Sequence, residues 1–579
     1  MKKLTGIGVS PGIVIGEAFV HAEDDVPEIP RYAIRKHQVE AQWKRLLTAF
    51  GKAVEEVSSL QEQAEREVSR EQADIFGAHL LMLEDPDFQS QIRERLESEL
   101  ENIEWVVWDI SREMTQKLLG SPDAYLRDRA VDIADVSHRL LQHLLSVRRF
   151  SLSELTEDVI LVVHDLLPSD VLTMNRERVK GIVMDMGGRT SHTAILARAF
   201  GIPAVLGLSS ATKEITNGDG LVVNGAFGEV VVNPGEKVLG RYKQAAGQFR
   251  KMENELFALR DLPAETPDGH RVTLNANIEL PEEAEQVLRY GAEGIGLYRS
   301  EFLFFTPGQG ADEERQYRAY ARVLKMMGDK PVTIRTVDVG GDKIVPAFGT
   351  GDEKNPLLGW RAIRFSLSLP ELFKTQLRAI LRASTEGNVR IMFPMISGIE
   401  ELEQALGIWH EARDECRRHK VVFADHIEVG TMIEIPSAAM TADILSGRSD
   451  FFSIGTNDLL QYTLAVDRGN EKVNYLAQPF HPAMLRLLRI IIDAAHARGI
   501  RAAMCGELAG DPLATVLLLG LGLDEFSMAA SAIPLVKRII RRADFDGSRA
   551  LAEKALGCGT YGEVNALLKT WMTEHFPPE

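Results

Sequence analysis

Glu428-Val429-Gly430-Thr431-Met432-Ile433-Glu434-Ile435-Pro436-Ser437, residues 428–437, is an apolar run whose far end carries a carboxylate. Glu428–Ile435 reads as a buried strand with polar content at its C-terminal end. Seven runs of the same kind flank it: Val272–Asn277, Gly294–Ser300, Val332–Val339, Arg390–Met395, Phe451–Asn457, Arg501–Glu507 and Glu525–Ala530, with helical patterns between them. Eight strands alternating with helices predict a (β/α)8 barrel of the TIM type, in which chemistry sits at the C-terminal strand ends.

Ahead of the barrel the period of the pattern changes twice. Residues 5–20 read as two short strands with a tight connection. Val39, Trp43, Leu46, Leu47, Phe50, Val54, Val57 and Leu60 then recur every three or four residues, which marks an amphipathic helix. Helical periodicity resumes at Phe76–Leu83, Ile103–Leu119 and Val131–Val147. Strand signals return at Val159–Val163, Gly181–Met186, Ala204–Leu206 and Leu221–Val223. The simplest assembly is a small α/β domain made of residues 1–20 and 147–234, with a helical bundle, 21–146, inserted in it. A charged helical linker, 235–262, then leads to the barrel, 263–579.

At 579 residues, 45% hydrophobic and 26% charged, the composition is that of a soluble globular protein. The formal charge of −18 argues against broad binding to nucleic acid or to an anionic membrane. No apolar run is long enough to span a bilayer, and the N-terminal residues lack the apolar core of a signal peptide. Three widely spaced cysteines, Cys416, Cys505 and Cys558, form neither a disulfide framework nor a Cys-type zinc site, so a cytoplasmic location is expected. An acidic protein that takes an anionic substrate must concentrate Arg and Lys locally or recruit a cation.

Met186-Gly187-Gly188-Arg189-Thr190-Ser191-His192-Thr193-Ala194-Ile195-Leu196-Ala197-Arg198 runs from a strand through two glycines into a helical pattern. Such a helix start presents free N–H groups to an anion, and Arg189 with three hydroxyls adds donors. A histidine there suits covalent phosphorylation, because neutral imidazole is a nucleophile. The plainer reading makes His192 a capping or metal-binding residue. The stretch resembles the phosphohistidine signature of enzyme I of the phosphoenolpyruvate-dependent sugar phosphotransferase system, and the resemblance extends over essentially the whole chain. It implies that His192 carries the phosphoryl group on Nε2. One departure is Asp165-Leu166-Leu167-Pro168-Ser169, where the family usually has Thr in the place of Leu167. Leu167 cannot hydrogen-bond the histidine, which leaves the orientation of His192 open.

Four barrel motifs resemble that family as well: Leu297–Phe304, Arg335–Lys343, Gly430–Ser437 and Phe451–Asp458, the last followed by Asp467-Arg468-Gly469-Asn470. Phosphoenolpyruvate carries a phosphate and a carboxylate, which planar guanidinium groups pair well. Arg299, Arg335 and Arg468 are the expected phosphate ligands, with Arg361 and Lys343 as helpers and Asn457 as a further donor. Glu434 and Asp458, read as lying on consecutive strands, are hard oxygen ligands suited to Mg²⁺, with Asp458 also facing substrate. The resemblance implies that Cys505 donates the proton to the enolate; the plainer reading is a buried structural cysteine. Likewise Arg299 and Arg335 could be salt-bridged to Glu301 or Asp338, and Glu434 could simply accompany the arginines.

The resemblance further implies the small phosphocarrier HPr as partner of the helical insertion, through Ile75–Asp85 and Tyr125–Ala130, and a homodimer through the barrel. Taken alone, His79 in the first segment reads as a packed surface histidine. Two other readings compete. A dikinase or synthase that uses phosphoenolpyruvate shares the histidine domain and barrel, but needs a large ATP-binding domain before the histidine. A low-turnover regulatory phosphocarrier of the nitrogen-related branch usually has an extra N-terminal sensory domain.

Overall fold

The computed structural model describes the chain except residues 22–28, 68–75, 78, 81, 84, 120–123, 146–151, 167–173, 176, 189–192, 195–196, 198–200, 305–311, 340–354, 469, 471 and 577–579. It divides into two compact units, Met1–Met252 and Glu253–Glu579.

The first unit contains one eight-stranded sheet. Its strands are β1 (Lys2–Thr5), β2 (Ile7–Ser10), β3 (Ile13–His21), β4 (Val159–Val163), β5 (Val179–Met184), β6 (Ala204–Leu206), β7 (Gly220–Asn224) and β8 (Glu229–Val232), in the order β1-β8-β7-β3-β4-β5-β6-β2. Strand β3 pairs in parallel with β4, from Glu17 opposite Val159 to His21 opposite Val163. The sheet therefore takes strands from both sides of the helical segment. Strand β4 is Val-Ile-Leu-Val-Val because both of its faces are covered. Leu161 and Val163 face one core, and Ile160 and Val162 the other. Residues 5–20, read as two strands, hold β2 and β3, and β1 precedes them; β1 and β8 pair along the sheet edge from Lys2 opposite Val232 to Thr5 opposite Glu229.

Between β3 and β4 stand helices α1 (Val39–Glu67), α2 (Pro86–Glu99), α3 (Ile103–Leu119) and α4 (Ala124–Leu145). Their apolar residues at helical spacing, Leu46, Phe50 and Val57 against Ile103, Val107 and Leu140, close one core. Helix α2 has no counterpart in the sequence reading, because Arg, Glu and Gln dominate it. It is set by the Asp85 cap, which accepts the Asp87 amide at 2.8 Å, by Pro86 at its first position, and by a buried row of Phe88, Ile92 and Leu96. His79 is fully buried, not on the surface: its ring meets Phe76 edge-on at 5.6 Å and Nδ1 lies 3.9 Å from Asp135. Helix α5 (Glu236–Phe257) carries the chain across the boundary of the two units.

The second unit is a closed parallel barrel of β9 (Thr273–Ile278), β10 (Gly294–Tyr298), β11 (Val332–Arg335), β12 (Val389–Phe393), β13 (Glu428–Ile433), β14 (Phe451–Ile454), β15 (Arg501–Met504) and β16 (Glu525–Met528), with β16 pairing back onto β9. All eight sequence-predicted strands are present. Most are shorter at the C-terminal end, because apolar periodicity continues past the ladder: Val337 and Val339 are buried although β11 ends at Arg335. Asn457 and Asp458 lie not on a strand but in the first turn of helix α6 (Thr456–Leu464), which begins immediately after β14. A carboxylate in a first helical turn is favoured by the helix dipole, which the apolar pattern does not reveal. Among the described residues no helix is long and apolar enough to cross a membrane.

The bundle and the barrel have separate cores. Ile92→Ala, which empties a fully buried site of α2, is expected to cost about 3 kcal/mol. Hydrogen exchange should then quicken in α1–α4 and stay unchanged in β9–β16; equal loss in both would refute independent cores.

Candidate active site

The C-terminal strand ends of the barrel surround a cavity of about 440 Å³ lined by Arg299, Arg335, Glu434, Asn457, Asp458, Arg468 and Cys505. The structure thus brings together every barrel residue singled out from sequence, except Lys343, which lies outside the described residues. So do His192, Arg189, Thr190, Ser191 and Leu167. Of the histidine segment, Thr193, Ala194 and Ala197 are described; they are helical and buried.

Arg335, at the end of β11, is the most enclosed of the three expected arginines. Its Nη2 donates to Glu301 at 2.6 Å and its Nη1 meets Asp338 at 2.9 Å. Asp338 also accepts Arg361 Nη2 at 3.0 and 3.2 Å, and Arg361 Nη1 reaches Tyr462 Oη at 3.2 Å and Asp458 at 3.7 Å. Burial alone would weaken the charge on Arg335, yet Glu301, Asp338 and Glu434 outweigh it and raise its pKa. The salt-bridged alternative therefore describes what Arg335 touches. Arg299 pairs with Glu279 rather than Glu301, and Arg468 Nη1 lies 3.7 Å from Glu507. Arg299 and Arg468 are more open, with side chains 39% and 36% exposed against 11% for Arg335.

Glu434 follows β13 directly and is buried. Its Oε1 accepts the Met395 amide at 2.7 Å, and Met395 takes φ 55° to deliver it. A left-handed non-glycine residue costs on the order of 1 kcal/mol, so this amide is held in place by its surroundings. Gly455 leaves the room: a Cβ there would sit 2.7 Å from Glu434 Oε2. Burial, then the nearby Asp458 and Asp338 carboxylates, push the Glu434 carboxyl well above its ordinary value, against the pull of Arg335. A buried carboxylate facing a second one is an arrangement that a bound cation relieves.

Cys505 follows β15 and is 4% exposed, with Sγ 3.9 Å from the Ile454 carbonyl. Burial pushes its thiol pKa up, so it is a protonated thiol at neutral pH. Its carbonyl accepts Asn277 Nδ2 at 2.9 Å, and Asn277 Oδ1 accepts Ser527 Oγ at 2.6 Å. Asn457 and the loop after β15 tie together reciprocally, Nδ2 to Glu507 Oε1 and the Glu507 amide to Oδ1, both at 3.2 Å.

Sequence reasoning missed the support behind these groups. Gln376, on helix Pro370–Ala383, is wholly buried. Its Oε1 accepts the Val337 amide at 3.0 Å, and its Nε2 donates to Ser300 Oγ at 2.9 Å and to Tyr320 Oη at 3.1 Å. Ser300 Oγ in turn donates to the Arg335 carbonyl at 2.8 Å. One amide side chain thus fixes the backbone next to both Arg299 and Arg335. Nothing in the local pattern marks it, since a glutamine within a helix is ordinarily a solvated face.

Residues 253–545 match the family described as PEP-utilising enzyme, PEP-binding domain; residues 5–129 match the N-terminal domain of PEP-utilising enzymes and 155–228 their mobile domain. The chain is 43% identical over 570 residues to the phosphoenolpyruvate-protein phosphotransferase of Staphylococcus carnosus, covering 98% of this chain and 99% of that protein. It is 42% identical over 572 residues to that of Bacillus subtilis, with 98% and 99% covered, and 42% identical over 572 residues to that of Haemophilus influenzae, with 99% of each covered. A barrel with this cavity, in a chain alike from end to end, belongs to the phosphoenolpyruvate-protein phosphotransferase family, enzyme I of the sugar phosphotransferase system.

Proposed function

We propose that this protein takes the phosphoryl group of phosphoenolpyruvate onto His192, releases pyruvate, and passes the phosphate to the carrier HPr. The observation that carries this reading is the cavity at the strand ends, where four arginines, five carboxylates and a buried thiol converge. Arg299, Arg335 and Arg468 hold the substrate's phosphate and carboxylate, and Asn457 donates to the phosphate. His192 Nε2 attacks phosphorus in line; the N–P bond forms as the bond from phosphorus to the enol oxygen breaks. The pyruvate enolate that leaves is protonated at its methylene carbon by Cys505.

Glu434 and Asp458 are the residues that would hold Mg²⁺. The chemistry of this donor set fits, because burial and the neighbouring Asp458 and Asp338 carboxylates disfavour a bare Glu434 carboxylate. Among the described residues no group of three or more His, Cys, Asp or Glu could hold a metal by itself, so water and substrate oxygens would complete the sphere. When bound, the ion supplies positive charge that offsets the charge on the transferring phosphoryl group.

Residues 1–20 with 147–234 serve as the phosphohistidine domain, 21–146 as the carrier-binding bundle, and 263–579 as the substrate and dimerisation domain. The linker 235–262 is the hinge that lets His192 serve both substrate and carrier. The homodimer reading is supported by exposed Met440 and Ile444, on helical segments that pack beside helix Pro482–Ala497, which itself exposes Ile490. A cytoplasmic location accords with three free cysteines, two of them buried.

Labelled phosphoenolpyruvate with Mg²⁺ should give an acid-labile, alkali-stable label on the wild type and none on His192→Ala; an unlabelled but folded wild type overturns the reading. Cys505→Ala should slow pyruvate release by about a hundredfold. Because burial raises the Cys505 thiol, iodoacetamide at neutral pH should modify partly exposed Cys558 first, and Cys505 only as the pH rises. Early labelling of Cys505 would contradict a protonated donor. Gln376→Leu leaves the buried Val337 amide unpaired, at about 1–3 kcal/mol. It should raise the KM for phosphoenolpyruvate, and Gln376→Glu at low pH should partly restore it. An unchanged KM in Gln376→Leu would limit the residue to a structural role.

A further inference from the structure

The opposite end of the barrel holds a second cavity, of about 490 Å³, that the reaction does not use. Its walls come from the segment before β9, the turns that enter β10 and β11, and helix Ile533–Ile540 after β16. Four cations, Arg260, Arg271, Lys330 and Lys537, line it against two carboxylates, Asp261 and Glu293, in a chain whose net charge is −18. The balance of charge is thus locally reversed.

The two carboxylates are taken by the arginines: Arg260 Nε meets Asp261 at 3.0 Å and Arg271 Nη2 meets Glu293 at 3.0 Å. The Arg260–Asp261 pair is solvent-exposed and exchanges at little cost. Glu293 is half-buried and also accepts the Leu274 amide at 3.3 Å, so that Arg271, itself exposed, is the mobile member of its pair. The lysines are different. Lys537 is 1% exposed, and its Nζ donates to the Arg260 carbonyl at 2.6 Å and the Gly291 carbonyl at 3.3 Å. Lys330 Nζ donates to the Ala292 carbonyl at 3.0 Å. Among the described residues neither ammonium has a carboxylate within 4.0 Å. An ammonium has three donors, so one remains on Lys537 and two on Lys330.

Burial lowers the Lys537 pKa, a cost that an anion in the cavity would remove. Gly291, at φ 73°, lets the chain pack against the Arg260 carbonyl where a Cβ would collide with it, which keeps the two carbonyls that hold Lys537 side by side. Leu262 and Leu288, both partly exposed, supply an apolar wall for a short carbon skeleton.

We propose that this cavity is a binding site for a small metabolite bearing at least two negative charges, held by Lys330, Lys537 and the two arginines. Its occupant would tie the chain between α5 and β9 to the barrel floor, through Arg260 and Leu262. The shared chemistry is a compact dianion, either a phosphate ester or a dicarboxylate.

Calorimetric titration of the full-length chain with inorganic phosphate and, separately, succinate tests this. It is done in an Arg299→Ala, Arg468→Ala background, which weakens anion binding at the strand C-terminal ends and leaves the buried pairs of Arg335 intact. That chain should still bind at least one of the two anions, and the tighter one identifies the class. Adding Lys330→Gln and Arg271→Gln, at side chains that are not in the core, should weaken that binding by roughly tenfold or more. An Arg299→Ala, Arg468→Ala chain that takes up neither anion, or binding indifferent to the two added substitutions, would overturn the site. Neither result bears on phosphorylation of His192, which is read by label transfer in the native chain.

Discussion

A guanidinium inside a barrel mouth is the constraint on which the site depends. Arg335 is too enclosed to be solvated, so its charge must be balanced by the protein. Glu301 and Asp338 do this at 2.6 and 2.9 Å, and the Glu301 oxygen also accepts the Asp338 amide at 3.1 Å. The added carboxylate then requires its own cation, which Arg361 supplies. Arg361 turns toward Asp458, and Asp458 faces Glu434. Each charge calls for the next, and among the described residues the alternation ends at two carboxylates, Asp458 sharing Arg361 with Asp338 and Glu434 lying in the field of Arg335. A divalent ion and an anionic substrate would complete that sequence.

The fold was legible because the barrel repeats a simple rule. An apolar strand, a polar end and a helix recur eight times, so existence and order of strands follow from periodicity. The ends of strands were not legible, because Val337 and Val339 join the hydrophobic core beyond the end of the ladder. Asp458 shows the same limit in another form: a strand and the helix after it are continuous in pattern, and only the backbone tells where one becomes the other. Helix α2 escaped because three buried residues in fourteen leave its composition polar. His79 was misplaced because a histidine beside Phe76 reads alike whether that helix face is open or covered.

The residues that line the cavity were legible from their types at strand ends, which a bare periodic pattern would not have singled out. What positions them was not. Gln376 is far from Ser300 and Arg335 in the chain and meets them only through the closed barrel. Its value lies in hydrogen bonds to backbone and hydroxyl groups, and these leave no signature beyond the glutamine itself. Glu279, the partner of Arg299, is similar: it stands just past the end of β9, the strand that pairs with β10.

The three arginines therefore differ in kind. Arg335 is held by buried carboxylates, and to release them would leave uncompensated charge in a low-dielectric interior, at several kcal/mol. It is a fixed part of the cavity. Arg299 and Arg468 pair with more exposed carboxylates, Glu279 and Glu507, whose side chains are 57% and 83% exposed. Water can take those carboxylates back at little cost. On the proposed reading, a phosphate that enters would displace Glu279 and Glu507 without breaking the ion pairs of Arg335; the two open arginines would turn to the substrate, and Arg335 would meet it already in place. On that reading, two exchangeable arginines favour a ligand that carries two anionic groups. A ligand with a single charge cannot satisfy both exchangeable arginines, and leaves one of them to its carboxylate.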